Sequence, residues 1–449
     1  MCGLLSRDAA EVDVAKGKIR VTTGAVAGCC VLLLVGCGPT SHDARPAPTK
    51  RRPVSMADQG SAALRPVPRG KGSKTPDDFN GDGHRDLVLN DLVKGDSHGD
   101  DAGIGVVYGA GRGLTPGARQ LLTPAGQAAR TKGQLPAVFD AEASCDLDQD
   151  GFTDLVVSTD PPYDGLGQPP VPLQILFGSP RGLARQAVKL TIPAQARGGN
   201  DWPDQPVCGD FDGDDAEDLV VHASNGQLSY LRGPFTRKGA PGGAGAPLAS
   251  PGNVPTGPAV DVDRDGYDDL LVRTAEGSTS SSVVLGGPAG PARPGFTLPN
   301  GADVAFGRFD EGRGVDAAIG SLDDTVLRYD VPGARRGTLD VPGTVLDSGD
   351  FDGDGISELV SSGTELRVFR GRDGGPSASD IVTVRPPASG TTRVLAVADF
   401  TGDGRADLAV RTYLGETKDT VAVYAGEKRD LVAAKPQVTF STAEFLGMD

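Results

Sequence analysis

The sequence predicts an all-β chain, a seven-bladed β-propeller built from four-stranded antiparallel blades. Three observations point there. The 449 residues include 65 glycines and 35 prolines with few long apolar helical patterns, a composition of short strands and many turns. A short acidic motif recurs with starts at Asp78, Asp146, Asp210, Asp261, Arg308, Asp350 and Asp399, and a period of that size marks blades or solenoid units rather than one globular core. Each copy follows a short apolar segment, runs into "DLVV" or a variant, and is followed by an alternating strand ending in glycine, as in "GVVYGAG", "LQILFGS" and "VAVYAGE". Period-two alternation bounded by Gly, Pro and Asp is the strand and hairpin signal. Spacers such as "AVKLTIP" supply a fourth, outer strand, and sheets closed into a ring leave only short, protected edges.

Counted from its first residue, the motif carries oxygen side chains at positions 1, 3, 5 and 9, usually glycine at 6, and a variable residue at 7. Such a segment curls around one hard cation, with those side chains and the carbonyl of position 7 pointing inward and glycine taking a positive-φ turn. The candidate ligand sets are Asp78, Asn80, Asp82, His84 and Asp86; Asp146, Asp148, Asp150, Phe152 and Asp154; Asp210, Asp212, Asp214, Ala216 and Asp218; Asp261, Asp263, Asp265, Tyr267 and Asp269; Asp350, Asp352, Asp354, Ile356 and Glu358; and Asp399, Thr401, Asp403, Arg405 and Asp407. Calcium in about six structural sites is expected, because a flexible ring of oxygens suits it better than magnesium and zinc calls for His or Cys. Carboxylates crowded at a strand entrance repel one another unless a cation compensates them.

The competing expectation is an Asp-Gly turn capped by its own side chains without an ion, although a plain turn does not require the acid at position 9. Asp215 replaces the glycine of the third loop, and Thr401 is a weak ligand in the last. The worn copy at Arg308, with Gly312 at position 5, is expected to be metal-free, Arg308 taking the cation's place beside Asp310 or Asp316. An EF-hand is excluded, since position 12 is Leu89, Val157, Val221, Val272, Ser361 or Val410 rather than a bidentate Glu.

With its "VxVYxG" strand, this "DxDxDGxxDLxV" loop resembles the FG-GAP (VCBS-type) repeats of the integrin α-subunit propeller and its bacterial relatives, over about Pro76 to Val438. The resemblance implies the propeller with calcium in its loops, and a role in adhesion or assembly.

Residues 1–36 read as a signal peptide: Lys16, Lys18 and Arg20 precede an apolar stretch from Val21 to Gly36 that is too short for a membrane span. Residues 1–13, with Asp8, Glu11 and Asp13, precede the basic region awkwardly and suggest a true start near Val14. Leu34-Val35-Gly36-Cys37 resembles the bacterial lipobox, which implies acylation of Cys37 and anchoring on the outer surface of the cell membrane through lipid alone. Residues 37–73 form the lipidated end and a Pro-, Ala-, Arg- and Ser-rich tether, and 74–449 the propeller. In an oxidising compartment Cys145 and Cys208 either bond neighbouring repeats or, one and two residues before their motifs, point to opposite faces.

A net charge of −16 disfavours nucleic acid and anionic membranes as partners. "GDSHG" at 95–99 fits G-x-S-x-G without the helix that a nucleophile elbow needs, and His42, His84, His98 and His222 form no spaced metal pair. Long connections at 91–101, 160–172 and 194–206 are expected opposite the acidic loops, bringing Tyr163, Asp164, Trp202 and Asp204 to one rim able to bind a protein or glycan, unless Trp202 packs between blades. The expectation is thus a surface-displayed, non-catalytic binding propeller; the alternative is an extracellular hydrolase or its accessory module using acids around the axis. Finally, Glu444 to Met448 are expected to complete or clasp blade one.

Overall fold

Each apolar run after an acidic motif is buried on both faces, as in Asp218–Ala223 and Glu358–Ser362, because it lies between two neighbouring blades. In the computed structural model, which describes residues 62–92, 103–199, 202–223, 226–273, 280–333, 335–414 and 419–446, these runs are the second strands of seven antiparallel blades. The signal peptide, Cys37, the tether up to residue 61, the "GDSHG" stretch and Met448 lie outside the described residues.

Blade two runs through Phe139–Cys145, Asp154–Thr159, Gln174–Leu176 and Val188–Lys189 from axis to rim, and blades four to seven repeat this order with inner strands Val254–Val260, Asp303–Gly307, Val345–Gly349 and Thr391–Ala398. Blade three has Val207–Gly209, Asp218–Ala223 and Gln227–Arg232, with its outer strand split into Gly243–Ala244 and Leu248–Ala249. Blade one departs from the four-stranded expectation: among the described residues it has only Leu87–Leu89, Ile104–Val107 and Arg119–Leu122. No helix of the described residues is long and apolar enough to cross a membrane.

The core is divided into wedges between adjacent blades. One cluster joins blades one and two through Phe79, Val106 and Leu155, and another joins blades seven and one through Phe400, Val423, Leu87 and Leu89. Position 2 of each motif, Phe79, Leu147, Phe211, Val262, Phe309, Phe351 or Phe400, is at most 3 % exposed and plugs the wedge shared with the next blade. Burying such a ring contributes about 2–3 kcal/mol.

The ring closes where residues 438–446 meet blade one. Val438–Ser441 is the outer strand of blade seven, paired with Thr420–Tyr424. The following turn, Thr442–Phe445, reaches blade one: Glu444 pairs with Arg119 at 3.2 Å, and Phe445 packs beside Leu87 and Leu92. The C-terminus therefore clasps blade one without adding a strand to it. Arg411 of blade seven donates to the carbonyls of Asn90 and Asp91 at 2.6 and 2.9 Å. Phe445→Ala is expected to lower stability by about 3–4 kcal/mol, measured by calorimetry; an unchanged melting midpoint would show that the clasp does not hold the ring.

Residues 62–73, expected in the tether, lie instead against the propeller. Ala62 N–H donates to Glu444 and Arg65 N–H to the Gly117 carbonyl, while Val67 packs on the wedge between blades one and two.

Candidate metal centres

The acidic motifs join first to second strands, so they gather on one face of the propeller. Their own backbone organises them. The position-1 carboxylate accepts N–H bonds from positions 5 and 6: Asp78 from Asp82 and Gly83 at 3.1 and 2.7 Å, Asp146 from Asp150 and Gly151 at 3.1 and 2.8 Å. Asp210, Asp261, Asp350 and Asp399 repeat this pattern. The carboxylate at 5 accepts from the N–H of 7, as Asp354 does from Ile356 and Asp403 from Arg405.

Two residues per loop, not one, take positive φ: position 4 as well as position 6, seen in Gly81 and Gly83 at 68° and 87° and in Gly213 and Asp215 at 73° and 66°. Position 4 also receives the next blade. The ring of Phe152 lies on Gly81 and that of Tyr267 on Gly213, where an added Cβ would meet ring carbons at 2.4 and 2.7 Å. The side chain at position 7, expected to matter only through its carbonyl, thus links one loop to its neighbour.

Position 9 differs most from expectation. Its carboxylate bridges two backbone N–H groups, one at position 2 and one where the third strand ends: Asp86 with Phe79 and Gly109 at 2.9 and 2.8 Å, Asp154 with Leu147 and Gly178 at 3.1 and 2.8 Å, Glu358 with Phe351 and Gly371 at 2.8 and 3.2 Å. Asp269 and Asp407 do the same, while Asp218 accepts from Gly233 and the Tyr230 hydroxyl. Blade five has lost the acids at positions 1 and 5, yet Asp316 keeps both bonds, to Phe309 and Asp330 at 2.7 Å. An acid at position 9 is therefore required by the strand junction itself and does not discriminate a cation loop from a plain turn.

Three carboxylate oxygens converge within 4.8 Å in four loops: Asp146, Asp148 and Asp154; Asp210, Asp212 and Asp218; Asp261, Asp263 and Asp265; Asp350, Asp352 and Glu358. The loops at Asp78 and Asp399 have neutral Asn80 and Thr401 at position 3. A hard divalent cation fits these all-oxygen sets. The fit is clearest at Asp148 and Asp212, whose side chains are 8 % and 5 % exposed and whose Oδ1 atoms lack any hydrogen-bond partner among the described residues.

Arginines reach the same carboxylates, and nothing in the motif spacing signals them. Arg232 lies 2.6 Å from Asp212 and Arg237 2.5 Å from Asp148, while Arg293 pairs with Asp265 and Arg370 with Asp352. All four come from the third-to-fourth strand turns, Arg237 and Arg370, or the strand ends that flank them, Arg232 and Arg293, on the face of the loops. Part of the crowded charge is thereby offset without an ion. In blade five Arg335, not Arg308, pairs with Asp310, and Arg308 Nε donates to the Gly312 carbonyl at 2.8 Å.

Burial pushes the position-9 carboxyls up, Asp86 to about 9, Asp154 and Glu358 to about 8, and Asp218 and Asp269 to about 6, with neighbouring carboxylates adding to the effect. Raised folded-state values make the protonated form the stable one, so this contribution is complete below about pH 4 and is lost as pH rises through the folded values. In chelator the melting midpoint is expected to fall between about pH 5 and pH 9. A midpoint that is flat or rising over that range would contradict the assignment.

Cys145 and Cys208 are bonded, with Cα atoms 6.3 Å apart. Alternation along one strand does not separate them, because the cysteines belong to the inner strands of adjacent blades. Beside them, on the side of the loops, opens a cavity of about 730 Å³ lined by Glu142, Asp146, Glu217 and Asp268 together with Lys74 and Arg85. Burial and the nearby Asp268 push Glu217 up to about 7.

On the opposite face, Tyr163 is 41 % exposed with its hydroxyl on the Gly167 carbonyl, and Asp164 pairs with Lys132 at 3.0 Å. Trp202 is half-buried; its carbonyl lies 3.4 Å from His222 Nδ1, and Asp204 approaches the same ring at 3.6 Å. The two loops are tied by Gln168 donating to Gly199 at 2.6 Å. The turns between second and third strands also expose Leu166, Leu322 and Leu414.

Residues 350–410 match the family model of the FG-GAP-like repeat, a stretch that spans the loops at Asp350 and Asp399 and the blade between them. The chain is a β-propeller, and this stretch of it matches an FG-GAP-like repeat. No curated protein matches the sequence. Among solved structures, the propeller is similar to BBS1N in complex with ARL6DN at 12 % identity and TM-score 0.45, covering 83 % of this chain and 96 % of that one. It is also similar to the dihydro-heme d1 dehydrogenase NirN, at 14 % identity and TM-score 0.43 over 86 % and 79 % of the two chains. The Pseudomonas aeruginosa periplasmic gluconolactonase PpgL matches at 13 % identity and TM-score 0.41 over 79 % and 95 %.

Proposed function

We propose that this chain is a surface-displayed, lipid-anchored propeller, stabilised by calcium in its acidic loops, that binds a protein or a glycan and carries out no chemistry of its own. The observation that favours binding is the division of the two faces. Converging carboxylates occupy one, whereas the other presents Tyr163, Leu166, Leu322, Tyr413 and Leu414 from the turns of blades two, five and seven. Exposed aromatic and apolar side chains among polar neighbours suit a recognition surface. Capture on glycan arrays and from surface-protein extracts, with the full chain and with Tyr163→Ala/Leu166→Ser, tests this; retention of an identified ligand by the wild type and its loss by the variant is expected. Equal retention by both would remove the face from consideration.

The second reading, an extracellular hydrolase or an accessory module of one, draws on the axial cavity, where Glu217 and Asp268 stand together with raised carboxyl values. Turnover in a hydrolase screen that Glu217→Gln abolishes, with folding intact, would replace the first reading by this one.

A further inference from the structure

Residues 69–76, upstream of the first repeat, lie along its acidic loop as a strap. The N–H of Gly70 donates to the Asn80 carbonyl at 3.1 Å, and those of Lys71 and Gly72 to the Gly81 carbonyl at 3.0 and 3.1 Å. Ser73 Oγ donates to Asp78 Oδ2 at 2.6 Å, and Thr75 Oγ1 to the Gly83 carbonyl at 3.4 Å. Ser73 N–H continues to the Gly151 carbonyl in the loop of blade two. The approach is close enough that a Cβ on Gly70 would lie 1.7 Å from the Gly81 oxygen. Small and hydroxyl residues face the loop, while Arg69, Lys71 and Lys74 are exposed.

The loop beneath the strap is also the least compensated. Among the described residues no Lys or Arg pairs with Asp78, Asp82 or Asp86, since Arg85 is engaged by Asp77 and the Pro76 carbonyl. Asn80 is fully buried, and its Nδ2 has no partner among the described residues. Where blades two, three, four and six bring an arginine to their carboxylates, blade one has only the strap.

We propose that residues 69–76 are a cation-gated latch: the strap holds while the first acidic loop is wrapped around a divalent ion, and it comes free, open to proteolysis at Lys71 and Lys74, when the ion leaves. The proposal rests on the calcium reading of the loops. All five bonds to the loop end on atoms whose positions are fixed by its closure: the carbonyls of positions 3, 4 and 6 and the carboxylate of position 1. Without an ion, the neighbouring Asp78 and Asp82 carboxylates have no Lys or Arg partner among the described residues and push the loop open, and the strap loses those acceptors together. A protease needs a locally unfolded stretch, so cutting reports the open population.

The test is limited trypsinolysis of the full chain with cleavage sites read by mass spectrometry and bound calcium counted per chain. Cutting after Lys71 and Lys74 is expected to rise about tenfold, equivalent to ~1.4 kcal/mol of opening, both for wild type in EDTA and for Asp82→Ala in millimolar Ca²⁺. Asp82→Ala should bind one ion fewer, whereas Asp354→Ala should lose its ion in blade six and leave the strap protected. If Asp82→Ala loses an ion and the strap is cut no faster, the latch is wrong and the calcium reading stands. If strap cutting rises equally in Asp354→Ala, the release is global loosening and the latch is again wrong. A wild type without bound calcium, or an Asp82→Ala chain with an unchanged ion count, removes the calcium reading of that loop and the latch with it.

Discussion

In excess EDTA the propeller is expected to melt about 10–20 °C below its midpoint in millimolar Ca²⁺. An ion bound only by the folded state contributes about 3–4 kcal/mol at a hundred- to thousandfold excess over its dissociation constant, and each kcal/mol moves the midpoint of a propeller this long by about 1 °C. Six filled loops set the upper end of the range. The lower end reflects Arg232, Arg237, Arg293 and Arg370, which keep part of the compensation when the ion is gone. Coincident midpoints with and without chelator would remove calcium from the account and leave six self-capped turns, four of them held by these arginines.

Asp316→Ala is expected to destabilise the chain by about 2–6 kcal/mol although its loop carries no set of cation ligands. Its two oxygens accept the N–H groups of Phe309 and Asp330, so truncation leaves two backbone donors without acceptors at a junction packed around the buried Phe309. The same change at Asp154 should cost this amount in chelator and more in calcium, where a ligand is lost too. Comparing the two variants in both buffers separates the junction role of position 9 from its metal role. A silent Asp316→Ala would mean that the carboxylate is dispensable and that the acid at position 9 marks a cation after all.

The blades were legible because most second strands open on an apolar run and every third strand but that of blade five is followed by glycine, signals repeated often enough to exclude chance. Blade one was harder: that it has no inner strand among the described residues had no sign beyond the scarcity of strand residues before Asp78. The alternation of small and basic residues in "RGKGSKT" reads as a solvated tether until the loop beneath it is seen. Among the loops, the acids were visible and their division of labour was not. Position 9 looks identical whether it serves an ion or a backbone junction, and only the worn copy around Asp316 separates the two. Glycine at position 4 of "DFNGDG" and "DFDGDG" was a readable sign of a second left-handed residue. The arginines were not readable, since Arg237 and Arg370 meet their carboxylates only through the turns of a neighbouring strand.

Closure of blade seven onto blade one imposes an order on folding. Blade one is synthesised before the other blades, yet the apolar surface formed by Leu87, Leu89 and Val107 is covered by Val421, Val423, Phe440 and Phe445, which follow it by more than 300 residues. A nascent chain must therefore carry an open, sticky flank through most of its production. Holdase chaperones would have their greatest effect on this flank, and nonsense mutations in the final turn should yield insoluble protein rather than a slightly shortened propeller.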